Sequence, residues 1–177
     1  MNSNLLGPSR RQFAGRFALV LGGVAAASTL HSETPQQSMQ QLPPANPRDP
    51  RTALHQEVEL AATPSRIEAA LLDAKQFAAF TGLAATIDAR EGGAFSLFGR
   101  LIVGRNIELV PGERIVQAWR PADWTPGLYS LVKFEFRPGG SGTLVVLDHT
   151  SFPAGGYDHL SAGWYAHYWE PLKKFFA

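Results

Sequence analysis

Nineteen residues near the end of the chain, DHLSAGWYAHYWEPLKKFF from Asp158 to Phe176, decide the fold. Large apolar side chains recur there every four residues, at Leu160, Trp164, Tyr168, Leu172 and Phe176. Together with Trp169 and Phe175 they form a wide apolar stripe, which is typical of a helix that buries one face. The spacing predicts a long C-terminal helix, with a kink or an unpaired carbonyl at Pro171.

The residues before this helix predict strands joined by turns. The stretch LHQEVEL at 54–60 alternates apolar and polar residues, as a half-buried strand does. Thr63-Pro64 starts a short helix, and a second one runs from Lys75 to about Phe80 and stops at Gly82. Five further strands are predicted at 94–98, 101–110, 114–120, 128–136 and 143–150. The order predicts an α+β fold of the helix-grip type, with about six antiparallel strands curved around the final helix, because a sandwich would leave that helix unpacked.

The first 27 residues have the pattern of an export signal. Arg10 and Arg11 lie in the sequence SRRQF, which resembles the twin-arginine motif, and an apolar run from Phe17 to Ala27 follows. That run is too short to span a bilayer, and it ends in small residues typical of a cleavage site. We therefore expect a bacterial protein that the twin-arginine translocase exports. Its location would be periplasmic or otherwise extracytoplasmic, without a stable membrane anchor after signal removal.

Residues 28–53 are rich in proline and glutamine and have no apolar period. This composition predicts a disordered tether with extended polyproline character. The folded domain is then expected at 54–177. The domain organisation predicted from sequence is thus signal peptide, tether and one compact domain.

Composition excludes several classes of function. The chain has 177 residues, of which 45% are apolar, and its formal net charge is +1. Residues 28–177 carry 13 basic and 15 acidic side chains, so no basic surface for nucleic acid is expected. There are no cysteines, which excludes thiolate metal sites and cysteine nucleophiles. His159 and His167 are eight residues apart, which is the wrong helical spacing for zinc, and no phosphate or dinucleotide motif is present. No metal or cofactor is predicted.

Several stretches resemble one family when they are taken together. They are FTG at 80–82, IDAREGGAFSLFG at 87–99, ELVPGERIVQAWR at 108–120, Asp123-Trp124 with Gly127, and Gly163-Trp164 with Tyr168. In this order they are similar to the C-terminal domain of the activator of the ninety-kilodalton heat-shock chaperone's ATPase. That family belongs to the START-like (SRPBCC) superfamily of helix-grip domains. The resemblance covers about 54–176 and implies a cavity between the sheet and the final helix.

Aromatic residues and one histidine are the candidate site residues. In this fold we expect a ligand to contact Trp119, Tyr129, His149, Trp164 and Tyr168. His149 shares a strand face with Val145 and Leu147, so it is also the one candidate general base, although a partly exposed structural histidine fits the same pattern. A regular strand would turn Arg105 inward, whereas a bulge near Gly104 would turn it out, and we favour the bulge.

Three functions remain open at this point. A non-catalytic domain that binds an apolar or amphipathic small molecule is favoured, because an apolar cavity needs no special chemistry to bind such a ligand. A protein-interaction or co-chaperone-like module is the second reading. Direct activation of the cytosolic chaperone conflicts with the predicted export. An enzyme of the cyclase or dehydratase type, using the same cavity, is the third.

Overall fold

A computed structural model describes residues 42–177 of the chain. The predicted signal peptide, with Arg10 and Arg11, and the predicted tether up to residue 41 lie outside the described residues.

One antiparallel sheet of seven strands forms the body of the domain. The strands are β1 (Ala53–Leu60), β2 (Thr86–Ile87), β3 (Ala94–Leu97), β4 (Ile102–Val110), β5 (Arg114–Pro121), β6 (Ser130–Pro138) and β7 (Thr143–Thr150). They are arranged in the order β1-β7-β6-β5-β4-β3-β2, so the first strand pairs with the last. We predicted about six strands. The additional one is β2, whose two residues are too few to show an alternating pattern.

Two short helices follow β1, as predicted. Helix α1 (Pro64–Leu72) begins with its proline in the first turn, and α2 (Ala74–Thr81) follows at once. Asp73 separates them, and its side chain accepts hydrogen bonds from the backbone N–H groups of Lys75 and Gln76. Gly82 ends α2 with φ 72°, a left-handed conformation that glycine adopts at no steric cost.

The C-terminal helix is continuous but not uniform. It consists of α3 (Tyr157–Trp164), a π-helical turn (Tyr165–Trp169) and α4 (Glu170–Phe176). In that turn the Glu170 N–H bonds to the carbonyl of Tyr165, five residues back. Side chains spaced by four drift about 40° per step around an α-helix. The wider turn offsets this drift, which keeps the apolar stripe on one face up to Phe176. The predicted irregularity at Pro171 thus takes the form of a π turn just before the proline.

Two tryptophans attach this helix to polar side chains on the inner face of the sheet. Trp169 Nε1 donates to Oε1 of Gln56 on β1, and Trp164 Nε1 donates to Nδ1 of His149 on β7. Gln56 and His149 are both buried. The hydrogen bonds remove the cost of burying these polar groups and fix the helix against β1 and β7.

Strand β4 differs from its expected orientation. Its inward residues are Ile102, Gly104 and Asn106, the opposite parity from the one we predicted. Arg105 therefore points outward, where it donates to the carbonyl of Gly92. The bulge that we placed near Gly104 lies instead between Asn106 and Glu108. The predicted outward position of Arg105 is confirmed. Its cause is not a bulge, because the even-numbered residues of β4 face inward at this point and Arg105 faces outward.

Part of the predicted tether is docked on the domain. The Asn46 N–H bonds to the carbonyl of Gly155, and the Gly155 N–H bonds to the carbonyl of Asp49. Arg51 forms a bidentate ion pair with Asp49, in which Nε donates to Oδ1 and Nη2 donates to Oδ2, and Nη2 also donates to Oδ1 of Asp158. Residues 42–52 thus differ from the disordered tether that their composition predicted. The sequence could not show this, because the contacts are made with residues more than 100 positions away.

Candidate ligand cavity

A cavity of about 360 Å³ lies between the C-terminal helix and the part of the sheet formed by β4 and β5. Its buried wall is mostly apolar and aromatic, and it consists of Phe98, Ile102, Trp119, Leu160, Trp164, His167 and Tyr168. The cavity is partly open to solvent. Its rim is formed by Leu42, Leu101, Pro121, Ala122, Asp123, His159 and Gly163. Cavities of this size and composition are common ligand sites in proteins.

The aromatic wall is held together by ring contacts. Trp119 stacks on Trp164 with ring centroids 5.6 Å apart, and Tyr168 lies 4.4 Å from Trp164. Phe98 meets Tyr168 edge-on at 5.3 Å. Phe98 has φ 52°, a conformation that is costly for a bulky residue and that the surrounding packing must stabilise. The aromatic side chains of the wall thus pack against one another without a ligand.

His149 lies behind this wall and does not line the cavity. Its Nδ1 accepts the hydrogen bond from Trp164 Nε1 at 3.1 Å, so its proton is on Nε2. Nε2 donates to Oγ of Ser130 at 2.7 Å, and the Ser130 hydroxyl donates to the backbone carbonyl of Trp119. Burial lowers the pKa of His149 to about 3. With both ring nitrogens bonded inside the core, this histidine positions Trp119 and Trp164 and has no free nitrogen for a substrate.

Two other polar side chains on the wall are also neutral at pH 7. Burial lowers the pKa of His167, with a smaller contribution from His159. Burial raises the pKa of the Tyr168 hydroxyl well above its usual value, and the nearby indole of Trp119 offsets this rise only in part. The interior of the cavity is therefore uncharged, and the one carboxylate on its rim belongs to Asp123.

The structure brings together three of the five predicted ligand-binding residues. Trp119, Trp164 and Tyr168 are neighbours on the cavity wall, and His149 supports them from behind. Tyr129 lies apart, with 44% of its surface exposed and its ring near the Arg120 guanidinium. It follows β5 by only a few residues, but the turn before β6 places it outside the cavity.

Other residues of the cavity were not predicted from sequence. Leu160 was visible as part of the helical stripe, and His167 was considered only as a metal ligand. Phe98 begins a 3₁₀ turn at Phe98–Arg100 and Leu101 follows it, and strand alternation gives no guide to side-chain direction there. Leu42 belongs to the segment that we expected to be a tether.

The fold and the cavity define a class of protein. This is an α+β domain in which a long C-terminal helix packs across an antiparallel sheet with a cavity between them, consistent with the helix-grip arrangement. The family model described as "Activator of Hsp90 ATPase homolog 1-like protein" matches residues 61–177. The chain belongs to this family.

Curated relatives come from distant organisms. An activator of 90 kDa heat shock protein ATPase homolog from Dictyostelium discoideum is 36% identical over 100 residues, 56% of this chain and 26% of that protein. The human protein described as "Activator of 90 kDa heat shock protein ATPase homolog 1" is 30% identical over 98 residues, 55% of this chain and 29% of that protein. The match thus spans less than a third of the length of either relative.

Solved structures show the same fold. An HSP90 activator from Plasmodium falciparum superimposes with a TM-score of 0.67 at 25% identity, over 71% of this chain and 96% of that one. The protein CalU16 from Micromonospora echinospora gives a TM-score of 0.58 at 22% identity, over 71% of this chain and 76% of that one, which shows a shared fold alone. No helix among residues 42–177 is long and apolar enough to cross a membrane.

Proposed function

We propose that this chain is an exported, non-catalytic domain that binds an apolar or amphipathic small molecule in the cavity between β4, β5 and the C-terminal helix. The observation that carries the proposal is the cavity itself, about 360 Å³ within a largely apolar wall. Burial of about 300 Å² of ligand surface would contribute roughly 7 kcal/mol before the cost of association. That is enough for useful affinity without any charged contact.

Native mass spectrometry of the mature protein purified from its own host tests this proposal. We expect a non-covalent mass that is lost on denaturation. Ala122→Phe should abolish it, because Ala122 is exposed on the rim and a phenyl ring there fills the entrance. Ala94→Phe is the matched control, since Ala94 is exposed on β3 away from the cavity. Equal retention of the ligand by all three proteins would place the ligand elsewhere and contradict the proposal.

Export is a separate part of the proposal, and the SRRQF motif supports it. Changing Arg10 and Arg11 to lysine keeps the charge and removes the pair that the translocase reads. The processed protein should then disappear from the periplasmic fraction and accumulate in the cytoplasm. If the double variant is still processed and periplasmic, the twin-arginine route is wrong.

A protein-interaction module is the second candidate, favoured by one surface feature. Leu128, Tyr129 and Leu131 are large apolar side chains that are each more than 40% exposed at the start of β6. Two of the relatives are named as activators of a chaperone ATPase. If this surface binds a protein, a pull-down from the periplasmic fraction should yield a stoichiometric partner that Leu131→Asp no longer retains. If Ala122→Phe retains the partner as well as the wild type does, the protein interaction does not depend on the cavity.

A further inference from the structure

One part of the cavity rim comes from outside the region that the family model matches. Leu42 lies on this rim, and its side chain is half-buried. The family model begins at residue 61, so Leu42 belongs to a segment that precedes the matched region. Among the described residues of the wall and rim, it is the one contributed by that segment. We call the docked segment, residues 42–52, the strap.

The strap runs antiparallel to α3 and reaches the cavity at its Leu42 end. Its backbone is bonded to Gly155, two residues before α3, and the Pro43 carbonyl accepts a hydrogen bond from Nδ1 of His159 at 3.0 Å. Leu42 then reaches Gly163, where an added Cβ atom would lie 3.3 Å from its Cδ1. His159 and Gly163 are four residues apart and share one side of the helix. Because Gly163 has no side chain, Leu42 packs directly against the helix at the edge of the cavity.

The two ends of the strap are held in different ways. At the end remote from the cavity, the Arg51 guanidinium lies 3.4 Å from the centre of the Tyr157 ring and is paired with Asp49 and Asp158. The cavity end depends on the hydrogen bond to the Pro43 carbonyl and on the packing of Leu42. Four of the eleven strap residues are prolines, which restrict the undocked chain and so reduce the entropy lost on docking. A modest additional contact at the cavity end is therefore enough to shift the docking equilibrium.

We propose that the strap is the movable part of the ligand site, and that strap docking and ligand binding stabilise each other. A molecule in the cavity covers the exposed part of the Leu42 side chain, and Leu42 in turn buries part of that molecule. Two events that share a favourable contact raise each other's equilibrium constant by the same factor. Contact over about 30–50 Å² of apolar surface corresponds to a factor of about three to ten. The inference rests on the proposed function and adds its regulation, since displacing the strap weakens ligand binding.

Fluorescence titration with N-phenyl-1-naphthylamine, an uncharged apolar dye, measures the affinity of the cavity. Leu42→Ser should raise the Kd about threefold to tenfold, because it removes the apolar contact. Gly155→Ala should also raise the Kd, since Gly155 contacts the strap and is not part of the wall or rim. Gly139→Ala, between β6 and β7, is the matched control and should bind the dye like the wild type. Ala122→Phe fills the entrance and shows whether the dye signal comes from the cavity.

Hydrogen exchange of the Asn46 amide gives the reciprocal measurement. This amide bonds to the carbonyl of Gly155, so its exchange rate reports the docking of the strap. In the wild type, saturating dye should slow the exchange by the same factor of about three to ten. In Leu42→Ser the dye should still bind but should no longer slow the exchange. This readout separates coupled docking from a simple loss of contact area.

The outcomes distinguish this inference from the proposed function. If the dye binds the wild type, Leu42→Ser and Gly155→Ala with equal affinity, the cavity binds small molecules but the strap inference is overturned. A weaker affinity in Leu42→Ser also overturns it if the dye leaves the exchange of the Asn46 amide in the wild type unchanged. If the dye does not bind the wild type, or binds Ala122→Phe equally well, the small-molecule function of the cavity fails and the inference fails with it.

Discussion

Nδ1 of His149 accepts a hydrogen bond from Nε1 of Trp164 at 3.1 Å, in the buried layer behind the cavity wall. This contact joins the C-terminal end of β7 to the middle of the C-terminal helix. Because Nε2 is bonded to Ser130, the imidazole has one defined tautomer and is neutral. His149, which we predicted as a candidate general base, therefore has a structural role and supports the cavity wall.

We expect His149→Leu to lower the free energy of unfolding by about 2–4 kcal/mol, since the change leaves the Trp164 N–H and the Ser130 hydroxyl without their partner inside the core. Urea denaturation followed by tryptophan fluorescence measures it. The matched control is His55→Leu, because His55 is largely exposed and its pairing with Asp148 is a surface contact. Equal losses in the two variants would contradict the buried network.

The free energy of unfolding should also decrease at acidic pH because of His149. Its pKa is about 3 in the folded state and 6.5 in the unfolded chain, so the unfolded state binds more protons between these values. This contribution is fully present above pH 6.5 and is lost as the pH falls toward 3, at about 1.4 kcal/mol per pH unit.

The comparison of wild type with His149→Leu isolates this effect from that of His167, whose lowered pKa acts in the same direction. The gap in unfolding free energy between the two proteins should shrink between pH 6 and pH 4. Parallel pH profiles for the two proteins would show that His149 does not titrate in this way.

Two glycines give a sharp test of the sheet beside the cavity. A Cβ atom at Gly104 on β4 would lie 2.1 Å from the carbonyl oxygen of Ala118 on the neighbouring β5. Gly104→Ala should therefore cost about 2–4 kcal/mol, because the backbone of one strand must move. Gly140→Ala is the control, since nothing lies within 4 Å there and its φ is not positive. Thermal unfolding should shift several degrees for the first variant and very little for the second.

The docking of residues 42–52 depends on Gly155. This residue has φ 87°, and a Cβ atom there would lie 2.9 Å from the carbonyl oxygen of Asn46. Gly155→Ala should release the segment and raise the exchange rate of the Asn46 amide about fivefold or more, since a left-handed alanine costs about 1–2 kcal/mol. Hydrogen exchange monitored by NMR measures this rate. Gly139→Ala should leave it unchanged, and equal rates in wild type and Gly155→Ala would mean that the segment is not held there.

Much of the fold could be predicted from sequence because it depends on local periodicity. The four-residue repeat from Leu160 to Phe176 indicated the helix, and alternation in β1 and β7 indicated which strand faces are buried. Trp164 and Tyr168 followed as cavity residues, because a residue on the apolar stripe of this helix must face the sheet. These predictions needed only the geometry of one element at a time.

The tertiary structure decided what depends on the pairing of distant elements. The parity of β4 was set by its register with β5, and the direction of Phe98 by a turn without a repeating pattern. The role of His149 depended on which side chain the helix brought to it, since burial and two hydrogen-bond partners, not the residue type, fixed its charge and tautomer. The docking of residues 42–52 likewise came from contacts across more than 100 residues, which no local pattern of side chains encodes.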